Sequence, residues 1–480
     1  MPDSLKHKTL QGVSWSFAEQ LLTRATNFII GIVIARILNP TDYGLVGMLG
    51  LFLAVSQLFI DGGLTSAIIR TKHPSEQDFS TVYIINIVLS VLFYGILYVG
   101  APLIAFFYQQ PILTPMTRVA ALVLVISAVS SIQNTLLTIR VDFKTKTYIS
   151  IIASLVSGLA GIVCAYNGLG VWALVIQSLT SATTFSLFTL LFVRWIPRFV
   201  FSMASFRRLF TYSSRLLTAA FIRVVYDNSY PLVIGKRFSP TNVGHYVRAG
   251  QFPGIVDSTI TGALNRVAFP ILSQIQDDDE RLLRVYEKYI QLACFFIFPI
   301  MMGLCGCARP LVLLLLKEQW LACVPLMQIL CFAKMTYCIS TINNNLLYVK
   351  GRSDLFLKVE IMKKLIAFSI LWGTMHFGLK VMCIGQVVYA FIGLYLNTLF
   401  TKKILGYTFN HQMKAVMPYF LLSMIVLAIS MLSATLFHNA LLSIIVALFL
   451  CPLTYLSVAG WTGLYAYRET MELLQDRYRQ

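Results

Sequence analysis

The chain is a succession of apolar runs of 18 residues or more, broken by short polar connections, from its first residues to near residue 466. A helix needs about 20 such residues to cross a bilayer. The runs predict helices near 10–36, 44–69, 80–107, 113–138, 147–166, 169–192, 209–235, 244–274, 286–315, 321–348, 355–376, 381–401, 414–437 and 440–466. Asn167-Gly168-Leu169-Gly170 divides the fifth from the sixth, and His438-Asn439 the last two. Connections this short leave no room for a soluble domain, so the expected fold class is an all-α integral membrane protein with about 14 transmembrane helices.

The pattern also repeats. At an offset of 200, Asn39-Pro40-Thr41-Asp42-Tyr43-Gly44 aligns with Ser239-Pro240-Thr241-Asn242-Val243-Gly244. Without a gap, 10 of the 32 positions from 33 to 64 are identical to their counterparts, where chance gives about 2. Six helices lie between the copies, an even number, so the repeats run parallel. Parallel repeats of this kind give two bundles related by an axis along the membrane normal, with a substrate path between them. The expected organisation is an N-terminal six-helix bundle over 1–200, a C-terminal six-helix bundle over 201–405, and two additional helices with a cytoplasmic tail over 406–480.

Charge changes the picture little but orients it. Charged residues are 12% of the chain, half the usual share, and the formal net charge is +18. In a soluble protein that excess would suggest nucleic acid. Here no nucleic-acid partner is expected, because 25 of the 38 Lys and Arg fall in the connections on the side of the N-terminus and 5 in those on the other. Positive loops stay inside, so both termini are expected in the cytoplasm. The first apolar segment carries Glu19 and Arg24, which a cleaved signal sequence would not; it is read as the first helix.

Catalytic and metal motifs are missing. The nine cysteines sit in or at the ends of apolar runs, with no CxxC pair, and read as small buried hydrophobes. Asp277-Asp278-Asp279-Glu280 stands beside Arg281 and Arg284 and reads as a solvated helix start rather than a metal site. There is no GxxxxGK[ST], no HExxH and no Gly-rich dinucleotide turn. No metal, no cofactor and no enzymatic activity are expected, and no motif for ATP-driven work is present.

Several residues carry a resemblance. They are Ala35-Arg36-Ile37-Leu38-Asn39-Pro40-Thr41-Asp42-Tyr43-Gly44, Asp61-Gly62-Gly63-Leu64 with Ala67-Ile68-Ile69-Arg70, Leu313 to Trp320, and Gly351-Arg352. Together they make the chain similar to the MOP superfamily of exporters, and within it to the Wzx-type polysaccharide flippases of the lipopolysaccharide and colanic-acid branch. Lys317 departs from the pattern, standing where that family usually has Gly. The resemblance implies two bundles around a central cavity in the bacterial inner membrane. It also implies transport of an undecaprenyl-diphosphate-linked oligosaccharide from the inner to the outer leaflet, with membrane lipids as surroundings and an association with polysaccharide polymerase machinery. A cation-coupled multidrug antiporter of the same fold is the alternative, disfavoured by the excess of basic over acidic residues within the spans. A membrane glycosyltransferase or O-antigen polymerase is the alternative of another class, disfavoured by the short outer connections.

Charges at bilayer depth cost at least about 2.5–3.5 kcal/mol and ask for a reason. Arg24 shares a face of the first helix with Ser16, Gln20 and Asn27. Arg223, Asp227 and Tyr230 share a face of the seventh. Asn27 and Asp227 are repeat equivalents, and Arg24 lies one residue from the equivalent of Arg223. Arg24, Arg223 and Lys334 are therefore the candidate cavity cations for a diphosphate, with Gln20, Asn27 and Asn345 as polar cavity lining. Asp257, Asp227 and Glu19 are the ion-coupling candidates. Internal pairing, Arg223 with Asp227 or Arg24 with Glu19, is the competing reading. Asp257, Thr261 and Asn265 on the eighth helix and Lys334, Thr341 and Asn345 on the tenth suit sugar recognition or ordinary interhelical bonding. Arg118, Arg248 and Arg309, near helix ends, read as snorkelling anchors. The glycines after Asp61 read as close helix packing.

Overall fold

The structure is a computed structural model that describes residues 22–71, 73–198 and 200–479. Glu19 and Gln20 lie outside the described residues. All regular elements among those described are helical. They are α1 (22–37), α2 (Pro40–Asp61), α3 (Leu64–Arg70), α4 (Glu76–Tyr108), α5 (Leu113–Ala120), α6 (Leu122–Val129), α7 (Ser131–Ile139), α8 (Phe143–Tyr166), α9 (Val171–Phe192) and α10 (Met203–Arg237). There follow α11 (Pro240–Gln274), α12 (Asp279–Gly306), α13 (Ala308–Leu316), a 3-10 turn (Glu318–Cys323), α14 (Val324–Met335), α15 (Tyr337–Val349), α16 (Ser353–Thr374), α17 (Leu379–Leu405), α18 (Phe409–Leu436), α19 (Ala440–Trp461) and α20 (Tyr465–Arg479).

Nine helical stretches among the described residues are long and apolar enough to cross a membrane, ten when α5–α6 and α7, bent by 45°, count as one. Their outward rows settle the environment: Phe106 is 83% exposed, Phe449 76% and Trp461 88%. Apolar surface on that scale belongs against lipid. Helices also occupy the expected positions at 22–37, Met203–Arg237, Pro240–Gln274 and Ser353–Thr374, outside that apolar set. The reason is plain in α10, which carries Arg207, Arg208, Arg223 and Asp227.

Local chemistry sets the breaks. Gly62 and Gly63 both take positive φ, +52° and +66°, which glycine adopts without a steric cost. That backbone requirement, together with Ser213 packed 3.3 Å from where a Gly63 side chain would begin, explains them better than packing alone. Helix starts are capped: Ser75 and Asp78 exchange bonds of 3.2 and 3.0 Å in a capping box at α4, and Asp278 accepts from Arg281 N at 3.0 Å. The acidic run at 277–280 is thus a helix start.

Residues Met1–Gly244 and His245–Gln480 form two compact units. In the first, α8 packs along α9, and α10 lies against α2, α3 and α4. Also within the first unit, the repeated turns meet each other. Thr41 and Thr241 hydroxyls are 2.8 Å apart. A methyl group on Gly44 would fall 1.7 Å from the Pro240 carbonyl oxygen, and one on Gly244 1.9 Å from that of Pro40. Only hydrogen fits at either place. In the second unit, α12 packs on α14, α15 and α18 around a core that includes Tyr286, Phe298, Met301 and Tyr419. That core holds a dry polar knot: Tyr286 donates to Asn343 Oδ1 at 2.6 Å, Gln412 Nε2 to the same oxygen at 3.1 Å, and Thr398 to Gln412 Oε1 at 2.8 Å.

Candidate functional site

Helical periodicity puts the candidate residues of each helix on a common face. In the first, Arg24 and Asn27 are exposed on α1, and Arg223 and Asp227 are exposed one turn apart on α10. The same unit holds a half-open cavity of about 390 Å³ between α2, α5, α6 and α9, lined by none of these four residues. Leu53, Met116, Leu124 and Leu174 line it, and Gln57 and Ser178 are its polar groups. Gln57 Nε2 donates to Asp61 Oδ1 at 3.1 Å.

In the second unit, the polar faces of α11 and α15 meet. Asn345 Nδ2 donates to Asn265 Oδ1 at 2.8 Å. Two turns earlier on α11, buried Asp257 accepts from Thr261 Oγ1 at 2.9 Å, and the Lys334 ammonium acts on the same carboxylate. Lys334 also stands 5.5 Å from the centre of the Tyr337 ring. The result is a buried carboxylate in the field of an ammonium group, flanked by amides and a hydroxyl. Such a set can bind anionic oxygens and sugar hydroxyls. Among the described residues no group of three or more His, Cys, Asp or Glu is placed to hold a metal ion.

One anchoring expectation is overturned. Arg248 is 4% exposed, too buried to snorkel. Its guanidinium lies 5.4 Å from the centre of the Trp320 ring and donates to Gln251. His245 meets the same ring edge-on at 5.8 Å. Trp320 is the fully buried end of the Lys317–Trp320 motif, so the signal for this cluster was present in the sequence as a motif without a partner. Arg118, by contrast, reaches the Tyr98 carbonyl at 3.3 Å and covers its ring at 4.5 Å, and Arg309 is exposed.

Residues 33–325 match the family described as polysaccharide biosynthesis protein. The chain belongs to that family. The succinoglycan biosynthesis transport protein ExoT of Rhizobium meliloti is 25% identical over 73% of this chain and 71% of its own length. The lipopolysaccharide biosynthesis protein WzxC of Escherichia coli is 23% identical over 89% and 88%. Among solved structures, the lipid II flippase MurJ in an inward closed conformation superimposes with a TM-score of 0.75 at 13% identity, covering 96% of this chain and all of the other. At that identity the likeness is one of fold. The membership agrees with the Wzx-type, MOP-superfamily resemblance of the Ala35–Gly44 and Leu313–Trp320 segments. As in its relatives, the polysaccharide biosynthesis family member is a multi-pass membrane transporter.

Proposed function

We propose that the protein is a flippase that carries undecaprenyl-diphosphate-linked oligosaccharide from the inner to the outer leaflet of the bacterial cytoplasmic membrane, by alternating access and without catalysis. The observation that carries this reading is the placement of polar, charged helix faces in an otherwise lipid-facing protein of flippase fold: Arg24 and Arg223 in the first unit, Lys334 with Asp257 and Asn345 in the second. Cations in a low-dielectric cavity bind a diphosphate strongly, and amides suit its sugars. Gln20 joins the same face of the first helix by sequence. Fourteen spans, two six-helix bundles over 1–200 and 201–405, two further helices, and both termini in the cytoplasm complete the proposal; the repeat and the loop charges support them.

Asp257 is the proposed coupling acid, with Asp227 and Glu19 as secondary candidates, and association with a polysaccharide polymerase follows from the transported product. The test is complementation of a flippase-null strain together with leaflet-resolved labelling of the lipid-linked oligosaccharide. Surface polymer restored by the wild-type chain supports the reading. Drug efflux without any change in oligosaccharide orientation would favour the antiporter alternative and overturn it.

A further inference from the structure

Both units carry a side-chain hydrogen bond across one register of the repeat, between a carboxylate and a neutral partner whose places are exchanged. In α2, Gln57 donates to Asp61 at 3.1 Å; in α11, Thr261 donates to Asp257 at 2.9 Å. The offset of 200 equates Gln57 with Asp257 and Asp61 with Thr261. Compared position by position, the acid of the first copy is lost in the second. Compared as hydrogen-bonded pairs one turn apart, both copies keep an acid and a neutral partner.

We propose that Asp61 is a proton-binding site of the first unit, the counterpart of Asp257 in the second. The transporter then loads and releases protons at two carboxylates rather than one. The coupling role rests on the flippase reading; the binding of the proton does not.

The partners decide for a proton. Gln57 and Thr261 each offer both a donor and an acceptor. Ionised Asp61 accepts from Gln57 Nε2. Once a proton adds to a carboxylate oxygen, the acid donates to Gln57 Oε1 after the amide turns over, and the cavity of about 390 Å³ that Gln57 lines gives it room to turn. The Thr261 hydroxyl rotates to do the same for Asp257. A hard metal cation gathers about six oxygens, and the apolar lining beside Gln57 does not provide them. Among the described residues, α2 packs against α1, α4, α6, α9 and α10. The charged residues these elements carry include Arg24 and Arg36 of α1, Glu76 and Asp78 of α4, and Arg207, Arg208, Arg223 and Asp227 of α10; α6 and α9 have none. Arg208 is taken by Asp78 at 2.7 Å, and among the described residues none forms an ion pair with Asp61.

The test is a pH titration of the full chain in liposomes, without substrate, followed by difference infrared spectroscopy in the protonated-carboxyl region. Asp61→Asn should remove one band, Asp257→Asn another, and the double variant both. Asp61→Glu should keep a titrating band at a shifted frequency, which serves if the Asn variant fails to fold. A wild-type spectrum in a folded Asp61→Asn or Asp61→Glu variant overturns the proposal. Complementation of the flippase-null strain, measured separately, reports on the transported substrate and fails or succeeds independently of these bands.

Discussion

Lys317 sits at φ +72°, ψ 179°. That region is essentially reserved for glycine, and a residue with a Cβ pays about 1–3 kcal/mol to enter it. The turn is held because it carries Trp320 to 0% exposure, under Arg248 and against His245, with Trp320 N donating to the Lys317 carbonyl at 3.3 Å. The Lys317 side chain is exposed, so replacing it removes no buried contact. Lys317→Gly should release the strain and lose about 0.5–1 kcal/mol to the greater freedom of glycine in the unfolded chain, for a net gain of about 1 kcal/mol. Lys317→Ala keeps the strain and is the control. Thermal unfolding of the purified protein in detergent should place the Gly variant above both wild type and Ala, with wild type and Ala close together and export unchanged in all three. A Gly variant that melts at or below the Ala variant would refute the strain argument.

Arg24→Ala and Arg223→Ala should each abolish polysaccharide export at normal protein level, with Lys replacements rescuing in part; full export by Arg223→Ala/Asp227→Ala would show that these side chains only join helices. Lys334→Met should lower the melting temperature by leaving buried Asp257 without its cation, a loss of less than the roughly 4 kcal/mol of two unit charges about 4 Å apart at an effective dielectric near 20. Lys334→Met/Asp257→Asn should recover that stability and still fail to export, and wild-type export by the double variant would reduce the pair to scaffolding. Tyr286→Phe should cost about 1–3 kcal/mol by stripping a donor from the dry Asn343–Gln412 knot, read as earlier unfolding with transport retained below the melting temperature. Single cysteines at Thr41, Tyr108, Asn167 and Asn439 should react with an impermeant reagent on intact cells, and those at Ser75, Lys144, Ser353 and Gln480 should not; outside labelling at Ser353 would overturn the orientation.

Apolar run length placed the helices because crossing a bilayer demands it of each segment separately. Breaks were less legible. The halt at Gly62-Gly63 depends on backbone handedness, and the joint between α14 and α15 at Thr336 has no glycine or proline to mark it. Polar spacing marked Asn265 and Asn345 on stripes of α11 and α15 without saying that the two stripes meet, which their hydrogen bond shows. It missed Arg248, because nearness to a helix end says nothing of what covers the side chain; Trp320 covers it from 72 residues away. It read the Asp61 stretch only through its glycines, because Asp61 aligns with Thr261 while the acid of the second copy stands one turn earlier, at Asp257.

The meeting of Gly44 with Pro240, and of Gly244 with Pro40, has a consequence for how the two copies drift apart. Where α10 packs on α2 through side chains, a change in one copy can be met by a trimmed side chain in the other. At the two glycines each copy is the other's immediate surroundings, and a side chain gained on either strand of the contact collides with main chain, which cannot be trimmed in compensation. Mutation in either gene half is therefore screened by the other half. The likeness that persists at Pro-Thr-x-x-Gly is the expected residue of that mutual policing, a patch where the duplication still shows because its products touch.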